Sequence, residues 1–261
     1  MSRTRQTVAP STRSGVSHPP PEDLPVRGLA VSYPTSTVVL PTEAGWDHLV
    51  YASTGVMTAE TDAGTWVIPP HRALWTPDGV AFRIVMHGRV SVRSLYFSSG
   101  LEILPATVRV LNVPPLVREL VLHAVRHAPL DLAVAEHQRL IGVLSDQLRV
   151  LPQAPLQVRL PSDPRALAMA RNLAAGSEVA DATREAGAGL RTLERLFLAE
   201  TGMSLGAWRR RQRFIEALRL LAEGESVTAV ANRVGYSTSS AFGFAFHREL
   251  GETPSRYFQG Q

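Results

Sequence analysis

Arginine carries all of the permanent positive charge in this chain: 27 basic residues stand among 261 positions, and none is lysine. The guanidinium group is always charged and presents a planar fork of donors, a shape that suits phosphate oxygens and the edge of guanine. A GC-rich coding sequence would impose the same bias, so the net charge of +4 decides little by itself. One run is more informative, Trp208-Arg209-Arg210-Arg211-Gln212-Arg213. Such cations can neutralise phosphates, which raises affinity for any nucleic-acid sequence and weakens with salt. On a helix the run points in several directions, so about two of its arginines are expected to reach phosphate, with the others free to pair with acids. From Arg165 to Gln261 there are 13 Arg against 10 Asp plus Glu, a modest excess for a DNA-binding domain.

The absence of cysteine excludes a disulfide framework, a zinc finger, a thiol nucleophile and an iron–sulfur cluster together. His48, His71 and His87 are scattered, without the spacing of a metal-ligand set. No catalytic constellation stands out, so no metal, no cofactor and no enzymatic activity are expected.

The elements that must position the arginines are legible as an internal repeat. Val179, Ala182 and Ala186 lead into Gly187, followed by Leu193, Leu196, Phe197, Glu200-Thr201-Gly202 and Trp208. Val227, Val230 and Val234 lead into Gly235, followed by Phe242, Ala245, Phe246, Glu249-Leu250-Gly251 and Tyr257. Each copy predicts a short helix, a glycine turn and a second short helix, the helix-turn-helix arrangement whose second helix enters the major groove. The segment from Trp208 to Leu221, with Phe214, Leu218 and Leu221 at helical spacing, predicts a helix joining the units. A rigid joining helix would set the two readers about one DNA turn, roughly 34 Å, apart.

Elsewhere, residues 1–27 mix Ser, Thr, Arg and Pro and predict a flexible arm. Residues 28–112 carry β-branched and aromatic runs (38–40, 49–51, 64–68, 81–85 and 90–97) broken by turn residues, which predicts a small antiparallel barrel or sandwich. Residues 113–150 switch to a helical period, with Leu116, Leu120, Val121 and Val125, then Leu140, Val143, Leu144 and Leu148, and predict a packing or dimerisation segment. Residues 151–164 are a proline-rich linker. The expected fold class is α+β in two domains, an N-terminal antiparallel β-barrel with appended helices and a C-terminal all-α double helix-turn-helix at 165–261. No apolar run approaches the roughly 20 residues of a membrane span, and the N-terminus lacks the apolar stretch of a signal peptide, so a cytoplasmic protein without membrane association is expected.

Residues 191–204 (RTLERLFLAETGMS) and 234–242 (VGYSTSSAF) resemble, almost residue for residue, the two motifs of the AraC family of transcription regulators. The resemblance covers about residues 165–261. Residues 48–56 (HLVYASTGV) are similar to the cupin-like sensor domain found in one branch of that family. The resemblance implies double-stranded operator DNA as the partner, a homodimer, and a contact with RNA polymerase.

It also implies particular readers. Arg191, Glu194 and Arg195, with Thr192 alongside, match base-reading positions; arginine can take guanine with two hydrogen bonds and glutamate can accept from the cytosine amino group. A salt-bridged surface helix, with Arg191 or Arg195 tied to Glu194, is the alternative. In the second copy Ser237 is expected as the N-cap, with Thr238, Ser239 and Ser240 in the first turn. Phe244 departs from the polar or basic residue expected there, so it either packs on a thymine methyl or leaves this helix with little base readout. Arg209 is expected on phosphate.

Cupin barrels often hold a metal, but this chain lacks the ligands: Thr42 and Ala44 stand where histidines are usual, His48 where glutamine is, and Asp47 and Phe82 where further histidines are common. What the resemblance leaves is a barrel interior with Trp46, His48, Tyr51, Trp66, Trp75 and Phe82, which either encloses a small apolar or aromatic effector or fills a solid core. A one-component regulator controlled by such an effector is the leading expectation. A regulator whose barrel only dimerises or meets a partner protein is the alternative, a cupin-type enzyme is third, and a fused DNA-repair alkyl acceptor is excluded by the missing cysteine.

Overall fold

The computed structural model describes residues 24–35, 37–38, 44–61, 64–152 and 157–259. Most of the expected arm, Val39, Leu40, Thr42, Asp62, Ala63 and the 153–156 part of the linker lie outside these residues.

Eight antiparallel strands form one sheet: β1 (Val26–Tyr33), β2 (Thr37–Val38), β3 (Trp46–Thr61), β4 (Gly64–Ile68), β5 (Arg72–Thr76), β6 (Arg83–Ser98), β7 (Arg109–Asn112) and β8 (Gln157–Val158). Two of the expected short runs, 81–85 and 90–97, are halves of the single strand β6. Its 16 residues pair with the 16 of β3 from Trp46↔Ser98 to Glu60↔Arg83, with register shifts between Ala52 and Val56. Such bulges bend a long ladder, so each half takes different neighbours. β6 pairs with β1 and β2, β3 with β5 and β4, β5 with β7, and β4 with β8.

Among the described residues the expected barrel is not closed. Closure needs hydrogen bonds between the outermost strands, and the described order β1-β6-β3-β4-β8 ends without them. The edge strands β2 and β8 are two residues each.

Strand alternation sends successive side chains to opposite faces. Leu49, Tyr51, Trp75, Leu95 and Phe97 form one apolar cluster with Val117, Val121 and Ala124 of α1 (Pro115–His127) and Ile141, Leu144 and Leu148 of α2 (Ala135–Val150). Val50, Ala52, Met57, Leu74, Phe82, Ile84 and Val92 belong to a different cluster. The two helices fall inside the expected helical segment, but Leu116 is 57% and Val143 48% exposed. The buried stripe of α1 runs Val117–Val121–Ala124–Val125, one position round from the one the apolar residues suggest.

The C-terminal part is α3 (Pro164–Ala174), α4 (Val179–Glu185), α5 (Leu190–Thr201), α6 (Leu205–Ala222), α7 (Val227–Arg233), α8 (Ser239–Leu250) and α9 (Pro254–Gln259). It does not hang on a free tether. β8, inside the expected linker, adds to the sheet beside β4, and the Trp208 indole N–H donates to the Arg159 carbonyl at 2.9 Å. The C-terminal end of α6 lies so close to the sheet that a Cβ on Gly88 would overlap the carbonyl of Ala222. Next to it, His87 shares a 2.9 Å hydrogen bond with the Thr58 hydroxyl and stands 3.5 Å from the Glu223 carboxylate. No helix among the described residues is long and apolar enough to cross a membrane.

Candidate nucleic-acid interface

The two helix-turn-helix units are built by the same local physics. Gly187 and Gly235 have φ of 64° and 79°, a left-handed conformation that glycine adopts without the Cβ penalty, and each redirects the chain after a seven-residue helix. In the first unit Ala182, Ala186, Leu193 and Phe197 are buried, with Phe197 edge-on to Trp208 at 5.4 Å. In the second unit Val230, Val234, Phe242 and Phe246 are buried, and Phe246 meets Phe214, Phe242 and Tyr257 at 5.5–5.7 Å. Trp208 and Phe214 both belong to α6, so one 18-residue helix carries an anchor for each unit and fixes their separation.

Glu200, near the end of α5, ties the first unit to α3. Its carboxylate accepts from Ser162 N–H, Ser162 hydroxyl and Asp163 N–H at 2.6–3.1 Å, and these hydrogen bonds hold its pKa below the ordinary glutamate range.

On the outer side of α5, Arg191, Glu194 and Arg195 are exposed and Thr192 is half-buried. They share a concave surface with Leu198 and with Ser204, Leu205 and Gly206 at the start of α6. None of Arg191, Glu194 and Arg195 enters an ion pair found among the described residues, so the salt-bridged surface helix is not what forms. Arg209, Arg210, Arg211 and Arg213 also stay outside those pairs. Arg209 and Arg213 line a cavity of about 240 Å³ with Gln212, Arg233 and the Gly235 turn, between the two units.

On α8 the cap differs by one residue from the expected one. The Thr238 hydroxyl, not that of Ser237, accepts from Ala241 N–H at 3.1 Å, because Ser237 still belongs to the turn. Ser237 and Ser240 are exposed, whereas Ser239 is half-buried. Phe244 projects outward at 73% exposure, far above any core aromatic of the unit.

The structure does not bring together the six residues expected around an effector. Phe82 stacks edge-on to His48 at 5.8 Å, and Phe82 and Trp66 belong to one cluster. Tyr51 and Trp75 belong to the other, against α1 and α2, and Trp46 lies at the rim with the Arg27 guanidinium 4.0 Å over its ring. Sequence reasoning missed Thr76, Ser94 and Tyr96, which the ladder places around His48: Thr76 and Tyr96 are its cross-strand partners, and Ser94 faces Val50. Both ring nitrogens of His48, the Thr76 hydroxyl and the Ser94 hydroxyl are buried without a hydrogen-bond partner among the described residues. Burial pushes the His48 pKa down to about 4, so the imidazole is neutral. Among the described residues no group of His, Asp or Glu side chains could hold a metal ion.

Residues 182–260 match the family described as a helix-turn-helix domain. The chain is 33% identical over 215 residues to the HTH-type transcriptional regulator NimR of Escherichia coli K12, covering 80% of this chain and 78% of that protein. It is 45% identical over 75 residues to the HTH-type transcriptional regulator RipA of Corynebacterium glutamicum, covering 29% and 23%. The crystal structure of ToxT from Vibrio cholerae O395 aligns over 89% of this chain and 96% of that chain, at 12% identity and a TM-score of 0.36. The repeated unit, the glycine turns and the Escherichia coli relative, matched over four-fifths of this chain, agree, and the chain belongs to the AraC family of DNA-binding transcription regulators, whose function is regulatory and not enzymatic.

Proposed function

We propose that this regulator discriminates its operator mainly through α5, with Arg191 and Arg195 on guanine edges, Glu194 on a cytosine amino group and Thr192 beside them. The observation that carries this reading is the exposed set Arg191, Glu194 and Arg195, without an ion pair among the described residues, on one side of a helix packed into the core of the first unit. Arg209 contacts phosphate. The second unit positions the protein: Ser237, Thr238, Ser239 and Ser240 add weak, uncharged contacts, and Phe244 packs on a thymine methyl.

The sheet carries the regulatory input, a small uncharged effector with both hydrogen-bonding and apolar character. The unmatched polar atoms of His48, Thr76 and Ser94 beside Phe82 support this, because a buried polar group without a partner costs about 1–3 kcal/mol that a ligand could recover. The protein works as a cytoplasmic homodimer and meets RNA polymerase at the promoter.

In vitro selection from random DNA, at near-physiological salt, tests the reading. Wild type is expected to enrich a defined motif, and Arg191→Ala and Arg195→Ala each to lose discrimination at particular positions by about 1–3 kcal/mol. Wild-type binding without enrichment would refute α5 as the reader.

A further inference from the structure

A cleft of about 720 Å³, within the ordinary range of small-molecule sites, lies at the end of the sheet apart from the His48 cluster. It is lined by the start of β3, the turn after β5, residues 99–106, the first residue of β7 and the C-terminal end of α2. Asp47 and His48 are neighbours in β3, so their side chains leave opposite faces of the strand. Asp47 lines this cleft, whereas His48 meets Phe82 and Tyr96 on the other face.

The lining carries both signs of charge, and they do not cancel. Asp47, Asp78 and Glu102 supply three carboxylates, and Arg109 and Arg149 supply two guanidinium groups. Among the described residues no ion pair joins any of these carboxylates to either arginine. Neutral partners hold them instead. Asp47 accepts from the Asp78 N–H at 2.9 Å and Asp78 from the Gly45 N–H at 2.8 Å. Arg109 donates to the Thr107 hydroxyl at 2.6 Å, and Arg149 to the carbonyls of Ile103 and Glu102 at 3.1 and 3.2 Å. The Arg109 Nε is buried without a hydrogen-bond partner among the described residues. Burial, with the Asp78 carboxylate adding to it, pushes the Asp47 pKa up, as befits a carboxylate short of a cation.

We propose that this cleft binds a zwitterion of the amino-acid class, a free amino acid or a short peptide with an apolar side chain. The ligand carboxylate meets Arg109 and Arg149, its ammonium group meets Asp47 and Asp78, and its side chain lies against Ile103 and Leu104. A simple anion would face three carboxylates, and a simple cation two guanidinium groups. A ligand with both charges satisfies both sets at once, and charge-assisted hydrogen bonds are the strong ones. The apolar contact is available because Ile103 and Leu104, buried in the cluster with α1 and α2, also line the cleft. This site is additional to the uncharged effector proposed beside His48, and neither depends on the other.

Isothermal titration of the full-length chain near neutral pH, with each probe taken to about 10 mM, provides the test. The probes are L-leucine, L-phenylalanine and L-leucyl-L-leucine, with 4-methylpentanoate, which lacks the ammonium group of leucine, and 3-methylbutylamine, which lacks its carboxylate. At least one zwitterion is expected to bind, at least about tenfold more tightly than either singly charged analogue. Arg109→Gln and Asp47→Asn are each expected to weaken that zwitterion at least about tenfold, with circular dichroism unchanged. Asn keeps an acceptor for the Asp78 N–H, and Arg109→Gln, at a less buried position, carries the test alone if Asp47→Asn does not fold. Tighter binding of leucine or phenylalanine assigns a free amino acid, and tighter binding of leucyl-leucine a peptide. No binding of any zwitterion overturns the proposal. So does a singly charged analogue that binds as well, or a zwitterion whose affinity Arg109→Gln leaves unchanged.

Discussion

The Tyr257 hydroxyl donates a 2.6 Å hydrogen bond to the carbonyl of Pro70, joining α9 to the turn between β4 and β5 across 187 positions of chain. Burial pushes the phenol pKa far up, so the bond persists through the physiological range. The His71 ring lies edge-on to the same tyrosine at 6.0 Å. Tyr257→Phe keeps the ring and strips the donor from a buried acceptor. A loss of about 1–3 kcal/mol is expected, read as a lower urea midpoint, and an unchanged midpoint would show that this contact contributes nothing to docking.

Acid should weaken the fold through His48. Its pKa is depressed in the folded state, so its contribution is complete above the unfolded value near 6.5 and is lost as pH falls toward about 4. Between pH 7 and pH 5 this amounts to about 2 kcal/mol. Urea titrations at the two pH values should show that share disappear in His48→Leu. His71 and His87, also depressed by burial, keep theirs.

The phosphate contact proposed for Arg209 is blind to sequence. Arg209→Ala should lower the slope of log affinity against log salt by about 1 and leave the selected motif intact. A changed motif with an unchanged slope would move Arg209 from backbone to base.

Phe244 should register the thymine methyl. Replacing thymine by uracil at one operator position is expected to weaken wild-type binding by about 1 kcal/mol, roughly fivefold, and to leave Phe244→Ala unaffected. Equal losses for both proteins at every position would remove the phenylalanine from readout.

The helical half was legible because its signals are local. Gly187 and Gly235 mark turns that need a left-handed backbone, and Phe214, Leu218 and Leu221 repeat at the period of the helix they occupy. The cap of α8 was displaced by one residue since Ser237 and Thr238 offer the same hydroxyl. The sheet was harder to read. Residues 47–52 of β3 are all buried, so no polar alternation announces which face holds His48 and which holds Tyr51. Thr76, Ser94 and Tyr96 meet His48 only through pairings with β5 and β6, and nothing near them in sequence signals it. Sheet closure likewise depends on whether distant edges meet, which alternation within a strand does not encode. Leu116 and Val143 looked like core because a helical period admits two neighbouring stripes.

The strand β8 shortens the leash on the DNA readers. Between Val158, held beside β4, and Pro164, the first residue of α3, only five residues intervene, a reach of at most about 20 Å. Even if the helical half let go of the sheet, it could not wander far to find a misplaced half-site. A dimer built this way should be intolerant of altered operator spacing: inserting about five base pairs, half a helical turn, would put the second half-site on the wrong side of the duplex, beyond what so short a connection can follow.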